Sequence, residues 1–164
     1  MVQLRPIRPE DIAAIKNWPP YCGGFEQMDY ALREQGWLDE FRDKAGAQVY
    51  AVALNDRVIG FSLLGSATHG EAEFRIAIHP DWIAKGLGRA ATLATLKMGF
   101  HQLNLVTINL IVRKSNPRAA TLYKNIGFVS TGESVHTIQG KAIEFIDMAM
   151  SKERFRELKI EENA

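Results

Sequence analysis

Lys85-Gly86-Leu87-Gly88-Arg89 sets two glycines between two cations, just before a stretch with helical apolar spacing. Glycines at a helix entrance let backbone N–H groups approach an anion without a Cβ in the way, and the helix amino end adds roughly half a positive charge. The chemistry this suits is the cradling of a pyrophosphate. Gly86-Leu87-Gly88-Arg89-Ala90-Ala91 also fits the G-x-G-x-x-A turn of dinucleotide-binding folds. Such folds place an acidic residue about 20 positions further on and let the glycines follow their strand directly. Here no acid follows, and His79 to Lys85 intervene. Gly-Lys-Ser and Gly-Lys-Thr are absent, which removes the nucleoside-triphosphate P-loop.

The charge pattern agrees with an anion site. The 164 residues hold 20 Lys and Arg against 19 Asp and Glu, a net charge of +1. That total gives no field directed at nucleic acid or an anionic membrane, and neither is expected as a partner. Between Asp81 and Glu133, however, there is no acid, while Lys85, Arg89, Lys97, Arg113, Lys114, Arg118 and Lys124 are all cationic. A segment of +7 is therefore joined to a remainder of −6. His69, His79, His101 and His136 show no metal-ligand spacing, and Cys22 is alone, so no metal and no disulfide are expected. Cys22 in an acyl-carrying role is disfavoured, since no neighbouring His or Lys would lower its pKa.

The elements that must position these residues follow from periodicity. Val2–Ile7 reads as a strand, Pro9 to about Trp18 as a helix stopped by Pro19-Pro20, and Tyr21–Gly24 as a loop. A second helix is predicted from about Glu26 to Lys44. Strands Gln48–Leu54 and Arg57–Leu64 flank the turn Asn55-Asp56, and a third runs from Ala72 to Ile78. Then come a helix from Gly86 to His101, a strand Leu105–Val112, a helix Asn116–Ile126, and strands Phe128–Glu133 and Ala142–Met150 around Gln139-Gly140. The tail from Ser151 reads as a charged surface helix that frays. No apolar run approaches the ~18 residues of a spanning helix, and the amino-terminal residues are charged where a signal peptide is apolar; a soluble, cytoplasmic α/β domain is expected.

Phe74-Arg75-Ile76-Ala77-Ile78-His79-Pro80-Asp81-Trp82-Ile83-Ala84-Lys85-Gly86-Leu87-Gly88-Arg89 resembles the acetyl-CoA signature of the GCN5-related N-acetyltransferase (GNAT) superfamily. Asn116 to Phe128 resembles the family's later N-x-x-A-x-x-L-Y-x-x-x-G-F segment. The resemblance spans about residues 2 to 150. It implies an acyl-CoA N-acyltransferase domain over 1–150 with a charged tail at 151–164. The fold it implies is α/β, with a mixed, mostly antiparallel sheet that splays centrally between helices.

Carried over, the resemblance gives acetyl-CoA as cosubstrate and an amine as acceptor, attacked directly in a ternary complex. The backbones of Ile76 and Ile78 would pair with the pantetheine arm, and the amides of Ile83, Ala84, Lys85, Gly86, Leu87, Gly88 and Arg89 would hold the pyrophosphate. Asn116 would touch the arm or the phosphates. The family consensus has Arg or Gln where this chain has Ile83, which leaves an amide but no polar side chain. Tyr123 would protonate the departing thiolate, and amides near Ile78 would polarise the thioester carbonyl. An alkyl ammonium of pKa ~10.4 must lose a proton before it attacks. Glu73, on one strand face with Arg75 and Ala77, would accept it directly or through water, with Glu71 as the competing carboxylate.

In the family, the loop Asn17–Met28 and the hairpin Ser134–Glu144 would wall the acceptor. Tyr21, Phe25, Glu26 and Glu144 are the expected substrate contacts, and with Trp18, Asp29 and Glu133 they suit a cationic small molecule or peptide amine. A noncatalytic acyl-CoA sensor on the same fold is the alternative. Exposed sheet edges make a homodimer an expectation.

Overall fold

The computed structural model describes residues 1–33 and 36–158. Seven strands form one sheet: β1 (Val2–Pro6), β2 (Gln48–Leu54), β3 (Arg57–Thr68), β4 (Glu71–Ile78), β5 (Thr107–Arg113), β6 (Val129–Ile138) and β7 (Lys141–Ser151). Their spatial order is β1-β2-β3-β4-β5-β7-β6. Every neighbouring pair is antiparallel except β4 and β5. That parallel pair is joined only at Glu71–Thr107, Ala72–Ile108 and Glu73–Asn109. Beyond Glu73 and Asn109 the strands part, which produces the expected splay.

Helices cover both faces. α1 (Pro9–Lys16), α2 (Asp29–Leu32) and α3 (Trp37–Arg42) lie on one side, with Ile15, Leu38 and Phe41 packed on Phe61, Leu63 and Ala77. α4 (Leu87–Lys97) and α5 (Pro117–Ile126) lie on the other, where Leu96, Phe100 and Ile126 meet Phe74, Leu110 and Met148. Strand alternation sends Glu73, Arg75 and Ala77 to the first face and Phe74 and Ile76 to the second. All three hairpin turns take left-handed residues, with φ of 50° and 66° at Asn55 and Asp56, 53° and 78° at His69 and Gly70, and 52° and 80° at Gln139 and Gly140. Such turns match the twist of the strands they join.

Four expectations are corrected, the last of them at the tail. The helix predicted over 26–44 is interrupted: a single 3-10 turn, Glu26–Met28, leads into α2, and Arg33 is extended before α3 begins. The apolar stripe runs across this break, so periodicity could not reveal it. The break is tight at Gly36, where a Cβ would collide with the Tyr30 carbonyl oxygen, so only glycine fits there. Glu34 and Gln35 lie outside the described residues. The helix from Gly86 ends as a π-turn over Met98–Gln102, which brings Gly99 close against Ile108. The last hairpin is longer than expected, paired from Val129–Ala149 to Ile138–Lys141.

The tail is anchored where it was expected to fray. α6 (Lys152–Glu157) is capped by Ser151 Oγ, which accepts from the Arg154 N–H at 3.0 Å. Phe155 is fully buried, its ring 5.0 Å from that of Phe100, and Arg154 Nε donates to the Gly127 carbonyl at 2.6 Å. The final six positions, 159–164, lie outside the described residues.

At the other end of the chain Asp11, 5% exposed, ties α1 to β1. Its carboxylate accepts from both terminal nitrogens of Arg5 and from the Arg8 N–H. The hydrogen bonds from Arg5, then that from the Arg8 backbone, hold its pKa below the ordinary carboxylate value against the opposing effect of burial. A depressed carboxylate contributes stability that is complete above its unfolded pKa of about 3.9 and is lost as pH falls through the folded value. Asp11→Asn is expected to lower the urea midpoint at pH 7 by the equivalent of about 1–3 kcal/mol. Titrating both proteins from pH 7 to pH 2 should show the gap closing below about pH 4.

Candidate active site

The splay leaves backbone groups of β4 open. The His79 N–H donates to the Ile59 carbonyl at 2.8 Å, and the Ala77 carbonyl faces Gly60, so these residues are bound to β3. By alternation the N–H and C=O groups of Ile76 and Ile78 turn the other way, into the gap. There the Ile78 carbonyl accepts a hydrogen bond from the Tyr21 hydroxyl at 2.6 Å. Tyr21 is buried, with its own N–H donating to Asp29 Oδ1 at 3.0 Å. Burial first, and the Asp29 charge second, push its phenol pKa well above normal.

Two cavities meet at the gap. One, of about 280 Å³, runs from Ile76 and Ile78 past Ile83 and Ala84 to Gly86, Gly88 and Arg89 at the start of α4. Gly86 is left-handed at φ 79°, and no side chain caps α4, so the first-turn N–H groups have no intrahelical partner. A Cβ built at Gly86 or Gly88 would meet nothing within 4 Å. Open amides, a helix amino end and Arg89 together suit an anion such as a phosphate. Ala84 takes the same left-handed conformation, φ 67°, which costs a residue with a Cβ about 1–2 kcal/mol. Lys85 sits over the Trp82 ring at 5.5 Å, and Leu87 packs inward toward Val52 and Ile59. Neither side chain lines the groove.

The second cavity, about 300 Å³, opens on the α1–α3 side between β4, β5 and β6. It is lined by Arg75 and Arg113 from the parted strands, Trp37 and Glu40 from α3, and His136 from the last hairpin. Five residues border both cavities: Met28, Ile76, Asn116, Ala119 and Tyr123. Tyr123 is fixed by edge-on contacts with Phe74 and Phe128, at 6.2 and 5.8 Å between centroids. Burial pushes its phenol pKa up to about 12, so the hydroxyl keeps its proton at neutral pH. Asn116 caps α5 by accepting the Ala119 N–H at 3.2 Å on Oδ1.

The sequence-based candidates therefore divide. Ile76, Ile78, Ile83, Ala84, Gly86, Gly88, Arg89, Asn116 and Tyr123 are brought together along one groove. Tyr21 and Phe25 line this same groove and not the second cavity. Glu26 and Glu144 line neither; Glu144 lies 4.0 Å from Lys114, which also bonds Glu133 at 2.9 Å. Glu73 stands at the apex of the splay with its carboxylate 3.3 Å from Arg75. Arg75, Arg113 and His136 were missed, although alternation along the strand had already put Arg75 on the face of Glu73. Among the described residues no cluster of three or more His, Cys, Asp or Glu could hold a metal, and no helix is long and apolar enough to cross a membrane.

A parallel pair that opens into a cleft, beside an uncapped glycine-led helix, can take an extended arm that ends in phosphate. Residues 2–129 match the family profile described as acetyltransferase (GNAT) domain. Over 153 residues the chain is 36% identical to the spermidine N(1)-acetyltransferase of Escherichia coli (strain K12), covering 82% of this chain and 76% of the relative. A solved structure of the Vibrio cholerae spermidine N-acetyltransferase with CoA and spermine aligns at TM-score 0.73 and 25% identity, over 94% of this chain and 98% of the other. A dodecameric structure of the Vibrio cholerae enzyme aligns at 0.75 and 25%, over 96% and 98%. The chain belongs to the GNAT acetyltransferase family, enzymes that move an acetyl group from acetyl-CoA to an amine.

Relieving and imposing left-handed strain at the groove should have opposite effects. Ala84→Gly is expected to stabilise the chain by about 0.5 kcal/mol, strain relief less the added flexibility of the unfolded chain. Gly86→Ala should destabilise it by about 1 kcal/mol, since no neighbour offsets the strain. Paired thermal melts would check both signs.

Proposed function

We propose that the chain acetylates a small primary amine by direct attack within a ternary complex, with the acetyl donor in the groove of Ile76 to Arg89 and the amine in the second cavity. The observation that carries this reading is the junction itself. Tyr123 and Asn116 border both cavities, so a donor and an acceptor that fill them meet there. Acetyl-CoA, when bound, supplies the activated acetyl group. The chain's own residues do the rest. The peptide groups of Ile76 and Ile78 bind an extended arm as an added strand would, while the α4 amides and Arg89 bind phosphate. Displacing the Tyr21 hydroxyl frees the Ile78 carbonyl for that pairing.

Tyr123 holds a proton on its phenol oxygen at the junction, for the sulfur that leaves. Glu73 serves as the proton acceptor for the amine, reached through water because its carboxylate pairs with Arg75 and stands outside the cavity. The relatives named for spermidine and crystallised with spermine support an amine acceptor and make spermidine the reference compound for assay. The dodecameric relative supports self-association, and the unpaired, exposed Cys22 supports a reducing, cytoplasmic setting.

Selective binding at ~100 times Kd contributes about 2.7 kcal/mol, so CoA and acetyl-CoA should raise the melting temperature while a nicotinamide dinucleotide should not. Tyr123→Phe is expected to lower kcat by about 100-fold with the CoA-induced shift retained. Because the phenol stays protonated up to about 12, kcat of the unmodified chain should show no loss of this donor as pH rises to 10. Full activity in Tyr123→Phe, or no CoA-induced shift, would refute the reading; a CoA shift without turnover of any amine would indicate a sensor.

A further inference from the structure

The second cavity holds cations that the chain does not neutralise. Arg113, the last residue of β5, is part-buried, and burial lowers its pKa with no carboxylate opposing. Its neighbour Lys114 takes the nearby glutamates, Glu133 and Glu144, on the outer side of the hairpin. The Arg113 carbonyl accepts the Asn116 N–H at 2.9 Å, but its guanidinium has no ion-pair or hydrogen-bond partner among the described residues. Across the gap, Arg75 is wedged between Glu73 and two rings, its Cζ 5.0 Å from the Phe41 centroid and 5.9 Å from that of Trp37. Its Nε is buried without a hydrogen-bond partner.

The charges facing the cavity are therefore two guanidiniums against one carboxylate, Glu40, which is 45% exposed and has Lys44 4.0 Å away. Glu73 offsets Arg75, which leaves Arg113 as a partly desolvated charge beside the site where an amine must come. A polycation would meet repulsion here. A guanidinium fork matches carboxylate or phosphate oxygens in two parallel hydrogen bonds.

We infer that the acceptor is an amine that also carries an oxyanion, a carboxylate or a phosphate, which Arg113 binds in the cavity between β4 and β5. This rests on the acetyltransferase reading and deepens it to a substrate class. Arg113 sets which amines are accepted and takes no part in the proton transfers. Arg75, already held by Glu73, defines the opposite wall.

The test compares matched acceptors that differ only in the anion: lysine against cadaverine, and phosphoethanolamine against ethanolamine, with spermidine as the polycationic reference. Thiol release from acetyl-CoA gives kcat/KM for each. In at least one pair the member bearing the anionic group should exceed its partner without it, and spermidine, by tenfold or more, and the pair concerned identifies carboxylate or phosphate. Arg113→Gln, checked for an unchanged melting temperature and CoA-induced shift, should abolish that preference through KM with kcat little altered. Arg113→Lys should restore part of it. Where turnover is too slow to measure, the same pairs are ranked by the melting shift of the CoA-loaded protein. Equal or better use of cadaverine, ethanolamine or spermidine, or a preference that survives Arg113→Gln, would overturn the inference while leaving the acetyltransferase reading intact. No thiol release with any amine and no CoA-induced shift would instead overturn the acetyltransferase reading beneath it.

Discussion

A buried backbone N–H or C=O must find a partner, and the site depends on one place where the sheet withholds it. β4 and β5 pair over three residues and then part, so Ile76 and Ile78 turn peptide groups into a gap. The gap can exist only because the sheet is held firmly elsewhere. β3 binds the other edge of β4 from Gly60–Ile78 to Gly65–Glu73, and β7 binds β5 along its whole length. Helices pack on both faces of the sheet around the parted strands.

The two substrates are treated by different physics. The groove proposed for the donor offers peptide groups, a helix amino end and two arginines, Arg89 and Arg118, a surface that reads shape and charge. The cavity proposed for the acceptor offers side chains: Trp37, Arg75, Arg113, His136. They meet at Tyr123, whose ring is clamped by Phe74 and Phe128 and whose proton is retained because burial disfavours phenolate. Tyr21 links the loop after α1 to the donor groove, since its hydroxyl rests on the Ile78 carbonyl.

Legibility in the sequence followed the range of the interactions. Asn55-Asp56 and Gln139-Gly140 announced their hairpins because left-handed turns have local residue requirements. The glycines at 86 and 88 announced the open, left-handed entrance to α4 for the same reason, and the alternation along β4 placed Glu73 and Arg75 on one face. The break between α2 and α3 was hidden because Met28, Ala31, Leu38 and Phe41 keep helical spacing across it. Phe155 looked like part of a charged tail, since nothing nearby in sequence signals that Phe100 awaits it. The sheet order brings Arg75 and Arg113 to opposite sides of one gap, a juxtaposition invisible in a chain where they stand 38 positions apart.

The opening between β4 and β5 also bears on how such a protein diverges. A surface made of peptide groups is indifferent to which side chains its strand carries, so the donor is inherited with the fold. The opposite cavity is written in a few side chains that single-nucleotide changes can alter without disturbing the sheet. Descendants of one ancestor can therefore exchange acceptors while keeping the same acetyl source. Two chains sharing about a third of their residues are then tied more closely by what they take the acetyl group from than by where they put it.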